Sequence, residues 1–198
     1  MEDLHLSDGF TVWFTGLPCS GKTTVSQALA EQLGTHGVRH EILDGDEVRR
    51  NLTKDLGFSR ADRRTNVLRN AFVARLLARN GVAAMAALIT PYNDTQQEVR
   101  EHAHNVHMVY VNCPVDVCAE RDVKGMYEKA RKGEIENFTG ISDPYEEPEN
   151  PEVTIHTHEE TVDESTEKIL EYLHEEDLIP PTNTAASEVE KGKPSIQT

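Results

Sequence analysis

Gly16, Gly21, Lys22 and Thr23, in the stretch "GLPCSGKTT", fit the spacing G-x-x-x-x-G-K-[ST]. Two glycines let a backbone turn tightly and approach a ligand closely. Successive N–H groups then point inward as a nest for phosphate oxygens. A helix opening near Lys22 adds its free N–H groups and the positive end of its dipole. In such a loop Lys22 reaches the β- and γ-phosphates and the Thr23 hydroxyl ligates Mg²⁺. A glycine-rich turn that matches by chance is the alternative. The apolar "FTVWF" before the loop and the helical "VSQALAEQL" after it argue against chance. The motif names no phosphate acceptor.

Residues that bear on the acceptor follow in "DGDEVRRNLTKDLGFSRADRRTN". Strand ends in open α/β sheets face the ligand crevice, so Asp44 and Asp46 stand at the carboxyl edge beside the phosphate loop. Two carboxylates near Mg²⁺ and a bound hydroxyl suit one base and one metal or water ligand. A helix N-cap is the other use of aspartate, and Asp46 is able to serve both. Arg49, Arg63 and Arg69 come next, with Phe58 and Asn66. Beside a phosphate loop in an acidic chain, they read either as forks for an anionic acceptor or as a solvated helix face. Phe58 reads either as a stacking surface for a base or as core.

The elements that must position these groups are legible from the pattern. Residues 10–15 read as a buried strand and 22–34 as a helix. "HEILDGD" is a short strand ending in acids. Residues 60–80 are a long helix with Val67, Ala71, Ala74 and Leu77 at helical spacing. "VAAMAALI" is the continuous apolar run expected in a parallel sheet covered on both faces. "TQQEVREHA" is a helix, "VHMVYVN" a strand, residues 115–121 a helix start, "EVTIHT" a last strand and "TVDESTEKILEYLHEE" a last helix. Strands alternating with helices predict a parallel α/β sandwich. Residues 122–150 are polar and contain glycine and proline, which predicts a functional lid or a disordered insertion. The expected single domain spans 1–178, and residues 179–198 read as a disordered tail.

Composition bounds the function. A chain of 198 residues is of ordinary size for one domain. Its net charge of −15 argues against general nucleic-acid binding. Lysines account for only eight of the 20 basic residues, which fits either adaptation to high salt or a merely acidic surface. No apolar run approaches the roughly 18 residues of a membrane span. "MEDLHLSDG" lacks a signal-peptide pattern. Cys19, Cys113 and Cys118 are odd in number and lack metal spacing, so a reduced, cytoplasmic setting is expected. The histidines of "HAHNVH" and "HTH" have no acidic or cysteine partner at metal-ligand spacing.

The blocks "GFTVWFTGLPCSGKTT", "LDGDEVR", "LGFSRADRRTN", "ITPY" and "ERDVKGMYEKARKGEIENFTGISDPYEEPENPEV", with the last helix, together resemble the adenylyl-sulfate kinase (APS kinase) family of P-loop kinases over about residues 8–175. The resemblance implies a P-loop kinase-type three-layer α/β sandwich. Its parallel sheet has about five strands, with helices on both faces and a lid. It implies transfer of the ATP γ-phosphate to the 3′-hydroxyl of adenosine 5′-phosphosulfate, giving 3′-phosphoadenylyl sulfate in sulfate assimilation. On this resemblance Gly16, Leu17, Pro18, Cys19, Ser20, Gly21, Lys22, Thr23 and Thr24 hold the ATP phosphates, and Arg121 and Thr161 lie near the ATP adenine. Asp46, with Asp44 beside it, sits at the acceptor 3′-hydroxyl or its Mg²⁺ shell, so Thr23 and Asp46 form the metal set. Arg49, Arg63 and Asn66 hold the phosphosulfate and ribose, Phe58 and Phe138 sandwich the acceptor adenine, and Ile89 and Thr90 lie next to the phosphosulfate. Lys124 enters with the lid. A homodimer is expected, and the ATP sulfurylase that supplies the acceptor is expected on a separate chain.

Three departures from that family pattern stand out. Pro18 and Cys19 occupy variable loop positions, Leu68 stands where an arginine is usual, and Thr90 stands where the family has a serine. The expected chemistry is direct in-line transfer, because positioning and charge neutralisation dominate phosphoryl transfer. The rivals are a kinase for another small acceptor, such as a nucleoside, gluconate or shikimate, and a nucleotide-binding switch. A sugar acid gives the Phe58 and Phe138 pair no base to stack on, and Lys22, Thr23, Asp44 and Asp46 together argue against a switch.

Overall fold

The computed structural model describes residues 8–180. The chain runs β1 (Thr11–Thr15), α1 (Lys22–Thr35), β2 (His40–Asp44), α2 (Gly45–Asn51), α3 (Arg60–Ala78), β3 (Ala83–Ala87) and α4 (Asn93–His102). It continues with β4 (Val106–Asn112), α5 (Val115–Glu120), α6 (Met126–Arg131), β5 (Val153–His156) and α7 (Val162–Glu175). The strands form one parallel sheet in the order β2-β3-β1-β4-β5.

Strand periodicity sorts the side chains between two cores. Phe10, Val12 and Phe14 turn to one face and meet Leu29 and Leu33 of α1 and Ile169 and Leu173 of α7. Trp13 turns to the other and meets Val67 and Ala71 of α3 and Val99 of α4. Every residue of β1 and β3 is buried, as central strands covered on both faces require. This is the parallel α/β sandwich expected from the alternation of elements, with helices on both faces as the family resemblance implies.

Two short helices were not expected. α2 is seven residues long, with Asp46 and Glu47 in its first turn and Arg49 and Arg50 in its last. Those charges complement the helix dipole at both ends. α6 lies inside the polar stretch 122–150. That stretch is not a bare loop, because Tyr127, Ala130 and Phe138 form a third buried cluster with Leu17, Cys113 and Cys118. The expected tail begins too early at 179. Ile179 is 4% exposed and belongs to the first core, and His174 Nε2 lies 3.0 Å from the Pro180 carbonyl oxygen. The rest of that expected tail, and residues 1–7, lie outside the described residues.

Candidate active site

The phosphate loop leaves β1 at the carboxyl edge of the sheet. Gly16 is required there by close approach, since a Cβ would stand 2.6 Å from the Val111 carbonyl oxygen of β4. The buried Lys22 ammonium donates to the carbonyls of Gly16 and Leu17 at 3.0 and 2.6 Å. Burial pushes its pKa down from 10.5 to about 8, against the pull of Cys118, Cys19, Asp44 and Cys113.

Thr23 Oγ1 donates to Asp44 Oδ2 at 3.0 Å. The other oxygen of Asp44 accepts from the N–H groups of Asp46 and Glu47 at 3.0 and 3.2 Å, which makes Asp44 the N-cap of α2. The cap therefore falls on Asp44 and not on Asp46, where the sequence reading allowed it. Asp46 projects from the first turn of α2, and its exposed carboxylate accepts from Lys124 Nζ at 2.9 Å. This pair ties α2 to the segment 122–150.

The donor set fits Mg²⁺. Magnesium takes hard oxygens, keeps several waters and is usually held by one or two protein groups plus substrate phosphates. Thr23 and Asp44 supply two such oxygens at the phosphate loop. The hydrogen bonds join Thr23 to Asp44, while Asp46, the other expected metal ligand, is engaged by Lys124. Among the described residues no group of three His, Cys, Asp or Glu gathers for a metal. His102 and His104 bond the Glu98 carbonyl and Asp8, and His156 and His158 meet edge to face.

A cavity of about 440 Å³ opens between the phosphate loop and the start of α7, and Lys22, Thr23, Thr24, Arg121 and Thr161 line it. Thr161 caps α7 in a reciprocal box with Glu164. Arg121 donates to Thr157 Oγ1 and to the Thr157 carbonyl at 3.2 and 2.7 Å, and Thr157 Oγ1 in turn donates to the Ser20 carbonyl at 2.7 Å. Thr157 thus joins Arg121 to the loop. It escaped notice in the sequence because "HTH" draws attention to its histidines. The half-buried Cys19 thiol is pushed up, chiefly by burial. A cavity of about 430 Å³ between Gly34, His40, Leu77 and Val82 lies at the opposite edge of the sheet and gathers none of these groups.

Of the residues expected around the acceptor, Phe58 and the stretch carrying Phe138 meet at Arg63. Its Nε donates to the Phe58 carbonyl at 3.0 Å, and its Nη2 donates to the Asn137 carbonyl. The buried guanidinium therefore ties the two places that carry Phe58 and Phe138. Arg49 donates to the carbonyls of Leu56 and Gly57 at 3.1 and 2.9 Å and lies 4.6 Å from the Phe58 ring centroid. Phe58 is 61% exposed, while Phe138 is buried against Tyr127. Asn66 Oδ1 accepts from Thr53 at 2.7 Å. Arg69 grips Asp55 with both terminal nitrogens at 2.7 and 2.8 Å, so it fixes the loop before α3.

Ile89 and Thr90 follow β3. The Ile89 carbonyl accepts from Thr15 Oγ1 at 2.7 Å. Thr90 is buried, has φ 46°, and its hydroxyl accepts from the Trp13 indole N–H at 2.9 Å.

A family model described as Adenylylsulphate kinase matches residues 8–156. An adenylyl-sulfate kinase from Halothermothrix orenii is 52% identical over 171 residues, covering 86% of this chain and 92% of that one. One from a Picosynechococcus strain is 53% identical and covers 87% and 98%. Among solved structures, the Mycobacterium tuberculosis APS kinase in complex with AMPPNP and APS superposes with TM-score 0.82 at 38% identity, covering 85% of this chain and 99% of that one.

Proposed function

The chain belongs to the adenylylsulphate kinase family, whose reaction phosphorylates adenosine 5′-phosphosulfate to 3′-phosphoadenylyl sulfate, and we propose that two nucleotide sites meet at Asp44 and Asp46 to carry the transfer. The observation that carries this reading is the division of groups between two places. The phosphate loop, Arg121 and Thr161 line one cavity, while Arg49, Phe58 and Arg63 form a separate cluster that does not line it.

ATP lies in the first site, with its phosphates in the loop from Gly16 to Thr24. Lys22 exchanges its carbonyl partners for phosphate oxygens and so neutralises charge that develops during transfer. Thr23 and Asp44 would hold Mg²⁺, which would supply charge neutralisation at the phosphates. Asp46 orients the acceptor 3′-hydroxyl and takes its proton, once Lys124 leaves its carboxylate for the phosphosulfate. Arg49 and Arg63 face that anion. The segment 122–150 closes over the site and excludes water, which otherwise hydrolyses ATP. Thr90 takes no covalent part, because its hydroxyl is buried and engaged by Trp13.

The chain acts as a cytoplasmic homodimer in this proposal. No helix among the described residues is long and apolar enough to cross a membrane. The decisive assay follows ADP release with ATP and adenosine 5′-phosphosulfate, and 3′-phosphoadenylyl sulfate is the expected product. Turnover with gluconate or a nucleoside and none with the phosphosulfate would sink the reading. Sedimentation of the purified chain tests the dimer.

A further inference from the structure

Tyr127 is buried and has no part in the roles assigned above. Its hydroxyl donates to the Pro18 carbonyl at 2.8 Å. Its ring meets that of Phe138 edge to face, with centroids 4.9 Å apart and planes at 77°. Its backbone N–H donates to Asp122 Oδ2 at 2.7 Å, which anchors the start of α6. One side chain therefore touches the loop that takes the ATP phosphates and a wall proposed for the acceptor adenine. The same two regions meet a second time at Gly140, where φ is +90° and a Cβ would stand 2.8 Å from Leu17 Cδ2.

The Pro18 contact has a geometric consequence. In a planar trans peptide the C=O and the following N–H point to opposite sides. No peptide bond among the described residues is cis. With the Pro18 carbonyl drawn toward Tyr127, the Cys19 N–H is turned the other way, into the loop. Cys19 has φ 61°, a left-handed conformation that a non-glycine residue keeps only where its surroundings hold it. The Ser20 N–H closes the turn onto the Leu17 carbonyl at 3.2 Å. Tyr127 is thus an outside hold on the peptide that aims a phosphate-nest donor.

We infer that Tyr127 is a positioning residue that couples the ATP phosphate nest to the acceptor pocket. A phosphate on the Cys19 N–H fixes the Pro18–Cys19 peptide, that peptide fixes the Tyr127 hydroxyl, and the ring fixes Phe138. ATP then tightens acceptor binding, and linkage requires the acceptor to tighten ATP binding by the same factor. The inference rests on the two-site reading above, and in particular on Phe138 as an acceptor wall.

Tyr127→Phe keeps the ring and removes the hydroxyl. Titration calorimetry measures the Kd of adenosine 5′-phosphosulfate with and without saturating adenylyl-imidodiphosphate, for wild type and variant, and the melting temperature is taken alongside. The analogue is expected to tighten phosphosulfate binding to the wild type. Tyr127→Phe is expected to reduce that factor by roughly two- to twelvefold, the worth of one neutral hydrogen bond. A merely structural tyrosine lowers the melting temperature and leaves the factor intact. An unchanged factor overturns the inference, as does a wild type whose phosphosulfate affinity ignores the analogue. Phe138→Leu tests the underlying reading separately. It should weaken phosphosulfate binding with or without the analogue, and unaltered affinity removes Phe138 from the acceptor site.

Discussion

Replacing Lys22 by methionine should make the protein more stable and catalytically inert. The Lys22 ammonium is buried and loses its proton near pH 8 instead of 10.5. At about 1.4 kcal/mol per tenfold change in proton affinity, that gap corresponds to about 3 kcal/mol of unfavourable burial of charge at pH 7. Methionine fills similar space without a charge. It leaves the Gly16 and Leu17 carbonyls without the lysine donor, at a cost of at least about 1 kcal/mol each, so the net gain is about 1 kcal/mol. For a domain of this size each kcal/mol moves the melting temperature by about 2–4 °C. The sign with pH follows from linkage. Between pH 8 and 10.5 the unfolded wild type holds a proton that the folded one has released, so wild-type stability rises with pH across that window. The advantage of Lys22→Met is therefore full below pH 8 and fades toward pH 10.5. Urea unfolding of both proteins at pH 7 and above pH 10 measures this, and ADP release measures the lost activity. A variant less stable than wild type at pH 7, or a difference that does not change with pH, refutes the reasoning.

Thr90→Ala leaves the Trp13 indole N–H without its partner, so it should lower stability by about 1–3 kcal/mol while retaining most of kcat. A phosphothreonine trapped on Thr90 after mixing with ATP alone, and mapped by mass spectrometry, overturns direct transfer. Arg63→Lys presents a point charge that does not span the carbonyls of Phe58 and Asn137, so KM for adenosine 5′-phosphosulfate should rise roughly 10- to 150-fold. A rise in KM for ATP instead reverses the assignment of the two pockets. Burial lowers the pKa of His107, against Glu152 and Glu176 and with Arg100, while its Nδ1 lies 2.7 Å from the Tyr172 hydroxyl. Below pH 6.5 the unfolded chain takes up a proton that the folded one refuses, so stability falls as pH falls. His107→Gln should flatten that slope between pH 5 and 6.5 in urea titrations; an equally steep slope assigns it to other groups.

The parts of the fold legible in the sequence were those written as long patterns. The 19 residues of α3 repeat their apolar positions over five turns, and the continuous run at Ala83–Ala87 needs two covered faces. α2 was illegible because seven residues are too few for periodicity, although its acids and arginines stand at the ends its dipole favours. Which aspartate caps it was also hidden. Asp44 and Asp46 differ only in where β2 ends, and a shift of two residues would move the cap from one to the other. Lys22, Thr23 and Arg121 were found from the motif and the family resemblance, and the structure places them around one cavity. Tyr127 gave no signal, because an aromatic in a polar run has no partner until the chain folds that segment against Leu17 and Pro18.

The arginines of this acidic chain fall into two groups. Arg60, Arg64, Arg69, Arg100 and Arg131 each meet a carboxylate within 2.9 Å, so their charges are largely cancelled where they stand. Arg49 and Arg121 are held differently. Their hydrogen bonds go to the carbonyls of Leu56, Gly57 and Thr157, a threonine hydroxyl and a cysteine sulfur. Arg63 bonds two carbonyls, and its nearest carboxylate, Asp143, lies 3.9 Å away and accepts from the Tyr92 hydroxyl at 2.6 Å. A carbonyl orients a guanidinium without neutralising it. Arg49 and Arg63 are also close enough to repel, and burial with that repulsion lowers the Arg49 pKa. The chain leaves this pair beside Phe58 only partly compensated, by Asp143 at 3.9 Å from Arg63 and by Asp62 near Arg49, although it carries 35 acidic residues. Such an arrangement lowers stability unless an anion completes it, and an acceptor carrying a phosphosulfate is the kind of ligand that does.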